Sequence, residues 1–276
     1  MTSPFASFQS IRRSKTLRPV NNPIGEPVLQ TSTIQKGNTE PQSFHGQNVV
    51  IIGGSSGIGL ATAKQAKEAG ANLFLISRNA ERLRDAAETI GGATQIVSDI
   101  AAPQPSIFAG IDRIDHLLIT AGTVHLQPLK DQSAADLSKV LSERLIGPLL
   151  AIKAALPLLH PASSITMTSG QFASRPAAIG AVVAAAVAAV ESAVRALAIE
   201  LSPMRVNAVS PGWVDTPLLD GLMGDAKRQV LAQTASTLPS RNIGRPEDIA
   251  EAILFLMANR FVTGEILHID GGGRLV

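Results

Sequence analysis

The chain of 276 residues has no cysteine, no tyrosine and a single tryptophan. Without cysteine there is no disulfide, no thiolate nucleophile and no cysteine metal site, which fits a reducing compartment. Without tyrosine, no phenol can move a proton anywhere in the chain. His45, His116, His160 and His268 are scattered and have no carboxylate at ligand spacing, so no metal is expected. Long apolar runs are also missing. The longest uncharged one, residues 176–190, is mostly alanine. It is too short and too weakly apolar to span a bilayer, and it reads as a buried, tightly packed helix. The pI is about 9.1, but the net charge is only +2. With neither Cys nor Tyr, little titrates between His and Lys, so a small excess of base carries the pI far. Neither a nucleic-acid surface nor a membrane partner is read from it.

Acidic residues are absent before Glu26, while Arg12, Arg13, Lys15 and Arg18 are all present. Residues 1–43 are polar, rich in Ser, Thr, Pro, Asn and Gln, and show no sustained periodicity. They read as a basic, mostly disordered extension. A transit peptide is the alternative to a plain tail, so an organelle is the alternative to a cytoplasmic location.

From residue 44 onward the pattern is regular. Residues 48–52 form an apolar, largely β-branched run, which predicts a buried strand. Gly53, Gly57 and Gly59 follow, and an amphipathic pattern opens at Ile58 and closes at Gly70. A strand feeding a helix through a glycine turn (Gly53, Ser55, Ser56, Gly57, Ile58, Gly59) presents backbone N–H groups and the positive helix end to a pyrophosphate. Further strands are expected at 71–76, 95–98, 116–120, 164–168, 205–209 and 265–269. Helices are expected at 80–90, 133–159, 177–201, 218–237 (interrupted near 221–224) and 245–256. This alternation predicts an α/β fold of Rossmann type, a doubly wound parallel sheet of about seven strands with helices on both faces. It forms one domain over 44–276, with ligands beyond the carboxyl ends of the strands.

A dinucleotide on the first turn places its adenosine ribose near the end of the second strand. An acidic residue there would bind a 2′-hydroxyl. This chain offers Ser77 and Arg78, with no carboxylate before Glu81. Arginine forks onto phosphate, and serine can donate to it, so NADP(H) is expected over NAD(H).

The chain resembles the short-chain dehydrogenase/reductase family across residues 44–276. The segments that carry the resemblance are Gly53–Gly59, Asp99, Ala121-Gly122, residues 145–147, the strand before Ser169, RVNAVSPGWVDTP at 205–217, GRPEDIA at 244–250 and TGEILHIDGG at 263–272. The resemblance implies that Asp99, with Ile100 beside it, contacts the adenine. It implies that Ala121 and Gly122 pass the adenosine half, and that Pro211, Gly212, Val214 and Thr216 cover the nicotinamide. It also implies a homodimer or homotetramer pairing through the alanine-rich helix, where Ala184, Ala188 and Ser192 allow close approach.

The catalytic positions depart from the family. A Tyr and a Lys four residues later fall on Val183 and Val187, or on Val182 and Ala186 if the register slips by one. The family's helix Asn is Arg144, and only the Ser survives, as Ser169. Ile52 stands where the family has Thr, and Thr120 where it has Asn. Ketone reduction with the usual proton relay is therefore unavailable, whereas hydride transfer to an iminium or activated C=C needs only positioning. Ser169, Arg144 and His125 are the candidate catalytic groups. Arg144 can bind a carboxylate or oxyanion, and His125 lies just past Gly122, where an imidazole can serve as a general acid. Gln171, Phe172, Val183, Val187 and Trp213 are the candidate pocket lining. Three functions are compatible: an NADP(H)-dependent oxidoreductase of a small organic substrate with a replaced proton donor; a non-redox enzyme that uses the nucleotide structurally; or a nucleotide-binding scaffold.

Overall fold

The computed structural model describes residues 43–276. The expected extension, residues 1–43, lies outside the described residues except for Ser43. Seven parallel strands form one sheet in the order β3-β2-β1-β4-β5-β6-β7. They are β1 Asn48–Ile52, β2 Asn72–Ser77, β3 Thr94–Val97, β4 Ile114–Ile119, β5 Leu159–Thr168, β6 Arg205–Pro211 and β7 Ile266–Ile269. Strand side chains alternate between faces. Val50 and Ile52 join Leu117 and Ile119 in a core completed by α4 (Gly147–Ala155) and α5 (Ala181–Glu200). Val49 and Ile51 face the other way, onto α1 (Gly57–Glu68) and α8 (Pro246–Ala258). Both sheet faces are thereby covered, which is why the strands read as continuous apolar runs. The strand order reverses between β1 and β4, which opens a crevice at their carboxyl ends.

Local signals fix the helix ends. In α2 (Ala80–Ile90), Asn79 caps the start by accepting from the Arg82 N–H at 2.9 Å, and Gly91 closes the end in the left-handed region at φ 79°. The 133–159 pattern is not one helix. It divides into α3 (Ala134–Leu141), a π-helical turn at Ser142–Ile146 and then α4. Pro148 has no N–H to return to the Arg144 carbonyl. The ladder shifts there, and the Gly147 N–H bonds to the Ser142 carbonyl.

Two expectations about the alanine-rich segment need correction. Its helix starts at Ala181 rather than 177, and it is not buried all round. Val183, Ala186, Val187, Val190 and Val194 form one buried stripe, while Ala185, Ala188, Ser192 and Ala196 face outward. At 20 residues it is long and apolar enough to cross a membrane by length and composition, so shortness does not exclude a span. In this fold the valine stripe packs on the sheet instead. The remaining helices, α6 (Pro217–Met223) and α7 (Lys227–Thr237), follow β6, and α6 lies over the crevice.

Candidate active site

The crevice has an outer part and an inner chamber, joined at Ile58, Thr120, Gly122, Thr216 and Leu218. The glycine turn forms the floor of the outer part. Gly53 has φ 95°, and a Cβ there would stand 2.6 Å from Thr120 Oγ1 and 2.7 Å from the Ala121 nitrogen. Gly57 has φ 52°, and Gly59 packs so tightly that a Cβ would strike the Gly53 carbonyl. Ser56 caps α1 in extended geometry with no side-chain cap bond, and no acidic residue occupies the first turn. The helix end is left to an anion. Ser98 Oγ is buried on the same wall without a partner. A bare glycine cradle, an uncapped helix end and an orphaned hydroxyl together fit a dinucleotide.

Ser55, Ser56, Ser77, Arg78, Ile100, Ala121 and Gly122 all line this outer part. Ser55 Oγ donates to Ser77 Oγ at 2.9 Å, which ties the turn to the end of β2. Asp99 is not on the wall. It is exposed, and its carboxylate accepts from the Ala101 N–H at 3.0 Å, so it caps a turn, while its neighbours Ser98 and Ile100 face the crevice.

Two charged wall residues were not anticipated. Arg82, one helical turn beyond Arg78, adds a second guanidinium; its i, i+4 spacing across the Asn79 cap could have revealed it. Glu143 is a buried carboxylate, 3% exposed. It accepts from the Thr123 N–H at 3.3 Å and from the Thr123 hydroxyl, and it lies 3.8 Å from Arg78. Only the π-turn brings it to the crevice, and no sequence pattern marked that.

The inner chamber, about 200 Å³, is mostly hydrocarbon. Val183 and Val187 form one wall, in the first of the two registers, and Gln171, Phe172 and Trp213 lie around them. Pro211, Gly212, Val214 and Thr216 close the β6 side, and Leu218, Leu219 and Leu222 of α6 close the top. Arg144 enters this chamber. Its Nε donates to the Thr123 carbonyl at 2.8 Å. Burial pushes its pKa down, against the opposing pull of Glu143; a guanidinium still keeps its charge. Ser169, 3% exposed, donates to Glu191 Oε1 at 2.8 Å, with the Val187 carbonyl at 3.3 Å. Glu191 was also not anticipated, although it continues the i, i+4 stripe of Val183 and Val187. Its other oxygen pairs with Arg195 at 3.9 Å.

His125 does not join the site. Val124 and Leu126 line the chamber, and His125 between them is exposed and absent from the wall. In an extended loop, alternate side chains point to opposite sides, and the apolar pair takes the inward one.

A glycine-cradled crevice at the switch point of a seven-stranded parallel sheet defines a dinucleotide-binding α/β protein. A family model described as enoyl-(acyl carrier protein) reductase matches residues 52–273. The chain is 36% identical over 251 residues to the short-chain dehydrogenase/reductase ATR9 of Stachybotrys chlorohalonatus (strain IBT 40285), covering 84% of this chain and 99% of that protein. The structure of the MalC Reductase/Diels-Alderase of Malbranchea aurantiaca superposes with a TM-score of 0.79 at 31% identity, covering 84% of this chain and 98% of that one. A small-chain dehydrogenase in complex with NADPH gives a TM-score of 0.73 at 31% identity, over 83% and 99% of the two chains. The chain belongs to the short-chain dehydrogenase/reductase family of oxidoreductases, which bind a nicotinamide cofactor and act on small molecules.

Proposed function

We propose that this protein is an NADP(H)-dependent reductase of a small organic substrate in which the family's phenol–amine proton device is absent and a buried guanidinium holds the negative charge that hydride transfer develops. The observation that carries this reading is Arg144, desolvated in a hydrocarbon chamber that opens onto the cofactor crevice. When bound, NADPH supplies a hydride from the C4 position of its nicotinamide. The chain's own residues position the acceptor. Val183, Val187 and the α6 leucines exclude water, and Arg144 draws negative charge toward its free Nη groups. Ser169 has one hydroxyl proton, and Glu191 takes it. The Ser169 lone pairs are left to accept from a substrate N–H or O–H. Arg78 and Arg82 at the adenosine end support the 2′-phosphate. The NADPH complex of a 31% identical relative is consistent with this preference.

The test is NADPH oxidation across a panel of iminium compounds, enones and ketones. Turnover of an enone, whose hydride adduct is an enolate that takes its proton from water on release, supports the reading, with ketones and cationic iminium compounds inert; no turnover across the panel counts against it. The Arg78→Ala variant is expected to raise the Kd for NADPH on the order of tenfold and leave NADH nearly unchanged. An equal Kd for the two reduced nucleotides in the unmodified protein removes the NADP assignment. A second reading, ring closure without redox change in the same chamber, is favoured by the likeness to MalC, described as a Reductase/Diels-Alderase. It predicts product formation at constant NADPH absorbance. A scaffold would bind NADPH and convert nothing. We also propose a homo-oligomer through the outward faces of α5 and of α4 with the π-turn before it, where Ile146, Leu150, Ala188 and Ser192 are exposed. Sedimentation of a monomer at micromolar concentration would refute it.

A further inference from the structure

A buried carboxylate inside a crevice meant for an anion needs a reason. Glu143 lines the adenosine end and is 3% exposed. One of its oxygens faces Arg78 Nη1 at 3.8 Å. The other accepts from the Thr123 N–H at 3.3 Å and from the Thr123 hydroxyl. Thr123 in turn holds Arg144 through its carbonyl, at 2.8 Å. The carboxylate is thus compensated, and it stands against the guanidinium that a 2′-phosphate would use.

We propose that Glu143 is a cofactor-selecting residue whose carboxylate competes with the 2′-phosphate of NADP(H) for Arg78. This rests on the reading of Arg78 as the 2′-phosphate site. A guanidinium forks onto one anion at a time with good geometry. To bind a phosphate, Arg78 must turn from Glu143. The carboxylate then stays behind, beside a second anion of like sign and with little water to screen it. A nucleotide with a free 2′-hydroxyl meets no such repulsion, and its hydroxyl can donate to the same oxygen. Glu143 therefore narrows the preference that Arg78 and Arg82 establish. The family's usual acidic selector at the end of the second strand is missing here, and this carboxylate approaches Arg78 from the π-turn between α3 and α4. Its bonds to Thr123 hold it in place when Arg78 leaves.

The experiment is titration of the full chain with NADPH, NADH, adenosine 2′,5′-bisphosphate and AMP. The last two report on the adenosine end alone. The Glu143→Gln variant keeps an acceptor for Thr123 and removes the charge. It is expected to lower the Kd for NADPH and for the bisphosphate by about tenfold, with NADH and AMP unchanged or weakened. In an Arg78→Ala background most of that gain is expected to vanish, because the competition runs through Arg78. Should Glu143→Gln fail to fold, Glu143→Asp draws the carboxylate back from Arg78 and is expected to act in the same direction, more weakly. An unchanged ratio of the NADPH and NADH constants overturns the proposal. So does weaker NADPH binding, because the carboxylate would then be orienting Arg78 for the phosphate. The NADP assignment fails on other numbers, the unmodified protein's own ratio and the Arg78→Ala effect, so the two failures are distinguishable.

Discussion

At the scale of the residue, the chamber's chemistry is concentrated in Arg144. A guanidinium held by one backbone carbonyl at 2.8 Å, with hydrocarbon around it, is a preorganised cation in a medium of low dielectric. Arg144→Ala is expected to lower kcat roughly 10²-fold while leaving the Kd for NADPH within about twofold. Arg144→Lys is expected to recover little, since the tetrahedral, flexible ammonium cannot present the planar, parallel fork of donors that a guanidinium keeps while bound to the Thr123 carbonyl. Single-turnover kinetics with saturating NADPH check both. His125→Ala is expected to change nothing measurable, because the ring is exposed and off the wall. Which side chains a motif names was legible in the sequence, but which way they turn was less so. The valine pair sits on α5 with a fixed register, Ser169 follows directly on β5, and Arg144 lies in the π-turn; all four line the chamber. His125 and Asp99 sit in loops, where the neighbouring apolar residue takes the inward position. Glu143 and Glu191 show the reverse. Charged residues are expected at the surface, and only tertiary contacts reveal that Glu143 is itself buried against Thr123 and that Glu191 meets the buried Ser169.

At the scale of the element, the segment between α3 and α4 decides where Glu143 and Arg144 point. Helical character over 133–159 was evident from periodicity, with Gly147 and Pro148 inside it. The π-turn was not evident, because a missing donor can yield a kink, a break or a widened turn, and the outcome depends on what the helix packs against. Here it packs against the Ile100 carbonyl, with room for no Cβ at Gly147. Gly147→Ala is therefore expected to cost on the order of 3 kcal/mol, since backbone rather than a flexible side chain must move. Ile100 also lines the crevice, so NADPH affinity is expected to fall in the same variant. Urea unfolding and nucleotide titration on one preparation test the pair of effects. Stability lost with affinity intact would mean that the helix moves and the β3 end does not. The strands were read to within a residue or two because both faces of the sheet are covered. The exception is β5, which starts at Leu159, five residues before its apolar run. Its first half, residues 159–163, carries no β-branched residue, and Pro161 sits within it.

At the scale of the whole molecule, the two ends of the sheet do different work. The carboxyl edge holds the crevice, and the amino edge holds a buried polar cluster that no motif announced. His116 on β4 is 6% exposed. Its Nδ1 lies 2.7 Å from Ser164 Oγ and its Nε2 2.6 Å from Gln47 Oε1. Phe44 packs on it edge to face at 5.3 Å. Gln47 accepts the ring's proton, and Ser164 donates to the other nitrogen, so the site is satisfied by a neutral imidazole. Burial pushes the pKa from its ordinary 6.5 down to about 4, with Arg205 and His160 adding to the fall and Asp115 opposing it. The unfolded chain takes up a proton at His116 below pH 6.5, and the folded chain does not until about pH 4. Stability therefore falls with pH across that window, by roughly 2–3 kcal/mol between pH 7.5 and 4.5. Asp115 and Asp270 contribute elsewhere. Burial works to raise both, but backbone and side-chain hydrogen bonds outweigh it and hold them below 3.8. Their stabilisation is present above that value and is lost only as pH falls further. His116→Gln removes the titration and keeps a polar group between Gln47 and Ser164. It is expected to be less stable at pH 7.5 and nearly flat from there to 4.5, when urea unfolding is followed at both pH values. A variant that loses as much stability on acidification as the unmodified protein would place the acid sensitivity at another group.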